Sequence, residues 1–139
     1  MNPTFESLAA FLGRIFLALI FVVSGVGKIT GYAGTAAYMA SKGLPLVEIL
    51  LPLTIAVELG GGLLLALGWK ARWAALALLL FLIPTTLIFH QFWGLEPKLA
   101  QMQKIHFLKN VAIMGGMLMV LAIGAGAWSV DRKVDRTTA

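Results

Sequence analysis

Four long apolar runs separated by short polar connections dominate this chain, over 8–27, 46–67, 71–92 and 107–128. Each is about 20 residues long, the length that crosses a hydrocarbon core of ~30 Å at ~1.5 Å rise per residue. The pattern predicts an all-α integral membrane four-helix bundle, up-down-up-down, forming a single transmembrane domain over 1–139. Gly68-Trp69-Lys70 is a tight turn that makes spans 2 and 3 antiparallel neighbours. Spans 1 and 2 are joined by Lys28 to Pro45, and within it Thr35 to Ser41 predicts a short helix between Gly34 and Gly43. Spans 3 and 4 are joined by Trp93 to His106. Pro52 and Pro84 fall inside spans 2 and 3, where each removes a backbone hydrogen bond and can bend its helix.

Composition agrees with the pattern. Apolar residues make up 60% of the 139 residues and charged residues 12%, about half the charged share of a soluble domain. The net charge of +5 is not a nucleic-acid patch, because no basic cluster is interleaved with aromatics on a polar face. The N-terminal lead carries Glu6 rather than a basic segment, and Arg14 interrupts the first apolar run, so span 1 is expected to be retained. Lys70, Arg72, Arg132, Lys133 and Arg136 fall on the side of both termini; Lys28, Lys42, Lys98 and Lys104 fall on the other. The positive-inside rule then places the termini in the cytoplasm. With no cysteine, disulfides, a CxxC relay and thiolate ligation of iron are excluded.

The candidate chemistry lies in charges placed inside the apolar runs, where charge is costly and marks a function or a packing lock. Arg14 and Glu58 both count to the cytoplasmic half or the midplane, so they are expected to meet as a buried ion pair. A second group lies in the outer half: Lys28, Glu48, His90, Gln91, Lys109 and Asn110. At 100° per residue, Arg14, Ala18, Phe21, Gly25 and Lys28 share one face of span 1, and Asn110, Met114 and Met117 one face of span 4. Facing inward, these stripes would bound a pocket with a polar rim, with Lys28, His90, Gln91, Lys109, Asn110 and Met114 as ligand-binding residues. A flat apolar molecule with polar ends fits such a pocket, and a quinone is the obvious membrane example. The alternative for Lys28 and Lys109 is snorkelling to headgroups, and for the methionines ordinary core packing. No ligand set has metal spacing, so no metal site is expected, and His90 with His106 makes a poor case for haem.

Three runs resemble the DoxX family: LGRIFLALIFVVSGVGKITGY from Leu12 to Tyr32, ELGGGLLLALGW from Glu58 to Trp69, and FLKNVAIMGGML from Phe107 to Leu118. The resemblance implies a four-helix bacterial inner-membrane protein, whose relatives have been linked to quinone-dependent sulfur oxidation and membrane oxidoreductase complexes. Arg14, Gly25, Lys28, Glu58, Gly61, Gly62, Lys109 and Asn110 are the matching positions. The expectation is an inner-membrane protein of a redox system. It would bind a quinone-like molecule, carry no intrinsic cofactor, and work with a partner subunit that supplies the redox centre. The lipid bilayer is its other partner, and a homo-oligomer is compatible with this reading. The rivals are a non-catalytic assembly or binding protein and a small proton-coupled transporter using Glu58 and His90.

Overall fold

The computed structural model describes residues 2–138. Helix α1, Pro3–Thr30, opens with Asn2, whose Oδ1 accepts the Thr4 N–H at 3.0 Å, and with Pro3 at a position where its missing N–H costs nothing. Helix α2, Tyr32–Ser41, is the short helix expected in the first connection, begun three residues earlier. Span 2 is α3, Val47–Ile55, then a π-helical turn, Ala56–Gly60, then α4, Gly61–Leu67. Helix α5, Ala71–Phe89, follows the tight turn, and α6, Pro97–Ile123, starts with its own proline. Helix α7, Val130–Thr138, completes the order. No strand occurs among the described residues, and α1, the α3–α4 rod, α5 and α6 are each long and apolar enough to cross a membrane.

Several boundaries differ from the sequence reading: α1 overruns the expected 8–27 at both ends. Span 3 ends at Phe89 rather than residue 92, and the fourth helix runs from Pro97 to Ile123 rather than over 107–128. The connection expected from Trp93 to His106 is therefore mostly the first turns of α6, which carry Lys98, Gln101, Gln103 and Lys104. At the other end Gly124 and Gly126, at φ 88° and 80°, stop the helix before Trp128.

The helices meet through small residues, as expected where lipid removes the hydrophobic drive for helix association. A Cβ on Gly25 would stand 3.0 Å from Leu59 Cβ, and one on Gly62 3.0 Å from Val22 Cγ2. These two contacts set the antiparallel register of α1 against span 2. Gly61 gives the same closeness to Leu78 of α5, and Gly116 of α6 to Leu17 of α1. Leu51, Leu65, Ala75, Leu78 and Met117 are fully buried between the helices. Phe16, Leu19 and Val23 of α1 and Leu80 of α5 face outward as a lipid-directed surface.

The end that carries both termini is tied by polar contacts. Gly68, at φ 66°, closes α4, with the Gly68 and Trp69 amides donating to the carbonyls of Leu65 and Leu64. Asp131 then reaches back from α7. Its carboxylate accepts the amides of Lys70 at 2.6 Å and Ala71 at 2.9 Å, and its own amide donates to Gly68 O at 2.9 Å. A carboxylate on the first free amides of α5 also suits the positive end of that helix.

Candidate functional site

The residues of the site are positioned by the register between α1 and span 2. Arg14, Ala18, Phe21 and Gly25 form the buried face of α1, as the helical spacing predicts. Lys28 continues that face one turn on, half-buried. Glu58 sits in the π-helical turn, where the widened backbone redirects its side chain, and it is 5% exposed.

Arg14 and Glu58 do not form a pair. The guanidinium of Arg14 donates to Trp128 O at 2.7 Å and to Leu65 O at 3.4 Å, and lies 5.9 Å from the Phe11 ring centre. Leu65 O lies at the C-terminal, negative end of α4, and Trp128 O on the segment before α7. Glu58 lies two helical turns further along the rod, beside residues 24–28. Counting depth from the ends of the apolar runs failed because α1 begins well before the point where span 2 ends. That offset leaves Arg14 level with the end of α4.

The partner of Glu58 is Lys28. Its Nζ lies 2.8 Å from Glu58 Oε2, Ser24 Oγ donates to Glu58 Oε1 at 3.1 Å, and Lys28 Nζ donates to Ser24 Oγ at 2.7 Å. The three groups form a closed triangle between α1 and the π-helical turn. The Oε2 contact is a charge contact rather than a well-directed hydrogen bond, and Oε2 accepts no other donor among the described residues.

This triangle forms one wall of a cavity of about 610 Å³. Lys28, Ser24 and Glu58 stand on that wall with Thr54; Phe21, Phe81 and Phe89 give it aromatic surface; His90, just past the end of α5, and Lys109 and Asn110 of α6 complete it. Thr35, Tyr38 and Met39 of α2 cover it from above, with the Tyr38 ring 5.6 Å from that of Phe89. Asn110 is buried and donates from Nδ2 to Thr86 Oγ1 at 3.0 Å, which pins α6 to α5 beneath the opening. At the rim, His90 Nδ1 is 3.0 Å from Gln103 Oε1, the His90 and His106 rings are 5.3 Å apart, and Lys109 Nζ is 3.5 Å from His106 Nδ1.

Four of the six residues expected around a ligand, Lys28, His90, Lys109 and Asn110, lie on this cavity. Gln91 does not: α5 ends at Phe89, His90 turns the chain out of the helix, and Gln91 is exposed on the connection. Met114 does not either. It packs against the bundle core, and Ile113 takes the lining position one turn from Asn110. Glu48 is absent from the lining as well. Sequence reasoning missed Ser24, Thr54, Thr85 and Tyr38. Ser24 and Thr54 carried a usable signal, since each stands four residues before a charged member of the site and shares its helix face. Among the described residues no three His, Asp or Glu side chains cluster as a metal site would need.

Residues 9–91 match the DoxX family. The chain belongs to the DoxX family. It is 37% identical to the inner membrane protein YqjF of Escherichia coli over 131 residues, covering 94% of this chain and 95% of that protein. It is 33% identical to the Escherichia coli inner membrane protein YphA over 122 residues, covering 88% and 87%. A shorter similarity, 36% over 72 residues and 52% of each chain, links it to the putative oxidoreductase CatD of Bacillus subtilis. No solved structure matches the chain. With its four membrane-crossing helices, this DoxX protein is a multi-pass protein of the bacterial inner membrane.

Proposed function

We propose that this DoxX protein binds a flat, quinone-like apolar molecule in the cavity beside Lys28 and Glu58, and does so as part of a membrane redox system. One observation carries the reading: an aromatic-walled cavity of about 610 Å³ ends on a lysine–carboxylate pair whose carboxylate is buried. Its volume is within the ~300–1,000 Å³ usual for small-molecule sites. The rings of Phe21, Phe81 and Phe89 supply faces for an aromatic ring, and Lys28, His90 and Asn110 supply polar atoms for its carbonyl oxygens. The naming of CatD as a putative oxidoreductase supports the redox association. Without cysteine the chain holds no iron–sulfur or thiol relay, so a partner subunit would carry the electrons onward.

Lys70, Arg72, Arg132, Lys133 and Arg136 at the end bearing both termini favour cytoplasmic termini, which puts the cavity in the periplasmic half. A C-terminal reporter active only in the periplasm would reverse that orientation. For the ligand, native mass spectrometry of the protein released from detergent should show a bound molecule of quinone mass. That mass should be lost when Ser24→Phe fills the cavity. A ligand-free spectrum before and after soaking with a short-tailed quinone overturns the reading.

A further inference from the structure

The cavity carries an uncompensated positive charge. Two lysines, Lys28 and Lys109, line it against a single carboxylate, Glu58. Lys28 is already committed to Glu58 at 2.8 Å and to Ser24 at 2.7 Å. Among the described residues Lys109 has no carboxylate within 4 Å; its Nζ lies 3.5 Å from a ring nitrogen of His106. No other carboxylate lies on the lining.

We infer that the ligand of this cavity is a flat aromatic acid, bound as its anion with the ionised oxygen on Lys109. The inference rests on the quinone-like reading and narrows it to rings that carry an acidic hydroxyl, such as hydroxyquinones and acidic phenols. Lys109 is exposed on the lining and has no carboxylate to neutralise it, so a neutral molecule leaves its charge to solvent alone. An anion neutralises it and gains a charge-assisted hydrogen bond. Repulsion from Glu58 is muted because that carboxylate is held by Lys28 and Ser24. The body of the ligand is set by Phe21, Phe81 and Phe89, whose ring faces favour a flat ring over a flexible acyl chain.

A matched pair of probes tests this: 2-hydroxy-1,4-naphthoquinone, which is ionised at neutral pH, and its 2-methoxy ether, which cannot ionise. Calorimetric titration of the purified protein in neutral detergent should favour the hydroxy compound by roughly tenfold or more, equivalent to about 1.4 kcal/mol. Lys109→Met should abolish the preference by weakening the hydroxy compound more than the ether, and Lys109→Arg should keep it. Circular dichroism melting of each variant verifies folding; should Lys109→Met fail to fold, Lys109→Gln takes its place. Equal affinities for the two probes overturn the inference and leave the quinone-like reading standing. A preference that survives loss of Lys109 overturns the assignment to that residue. No binding of either probe overturns both readings. Displacement by laurate at equal concentration would assign the site to acyl carboxylates and overturn the aromatic class.

Discussion

Lys28 on α1 and Glu58 on the π-helical turn of span 2 hold each other at 2.8 Å on the wall of the cavity. Each justifies the other, because a lone charge at that depth would be costly. Breaking a buried pair from one side typically costs ~3–5 kcal/mol, and the half-buried lysine puts this case at the lower end. Lys28→Met and Glu58→Gln should each lower the melting temperature in detergent. The double variant should recover most of the loss, since no charge is then stranded. Two single variants that melt like the parent would show that the pair contributes nothing to the fold.

Arg14 works at a different place. Its partners Leu65 O and Trp128 O belong to the end of α4 and the segment before α7, and Leu65 lies about 10 Å along the rod from Glu58. Sites that far apart with no shared partner add within about 0.5 kcal/mol. The losses from Arg14→Met and Glu58→Gln should therefore sum in the double variant. A coupling above roughly 1 kcal/mol would put the two residues back into one network.

The glycine contacts give a third expectation. Gly25→Leu places atoms where Leu59 already stands, 3.0 Å from the first added carbon, and should cost about 1–3 kcal/mol by overpacking. Gly115 has open space around it, and Gly115→Ala should be neutral or stabilising by up to about 1 kcal/mol. Thermal unfolding of both variants measures the contrast. Equal effects would mean that the register of α1 against span 2 is not set at Gly25.

The number and order of the spans were legible because twenty-residue apolar runs have few other uses. The inward face of α1 was legible too: Arg14, Ala18, Phe21 and Gly25 are all buried. What could not be read was depth. An apolar run marks where lipid contact is tolerated, not where a helix starts. The overhang of α1 moved Arg14 to the end of α4, and the early start of α6 at Pro97 brought Gln103 and His106 to the cavity rim. The π-helical turn has no sequence signature, so the direction of the Glu58 side chain was hidden. Gln91 was assigned to a helix that ends at Phe89, and Met114 to a lining position that Ile113 holds.

The central claim is that a flat apolar molecule sits against the Lys28–Glu58 wall. Photo-crosslinking with a short-tailed azidoquinone, followed by peptide mapping, tests it most directly. The account predicts label on the cavity residues Phe21, Tyr38, Phe89 and Ile113, lost in Ser24→Phe and competed by excess unlabelled quinone. Label confined to the outward-facing Leu19, Val23 and Leu108, and unaffected by the competitor, would mean that the quinone meets only the lipid surface of the bundle, and would contradict the account.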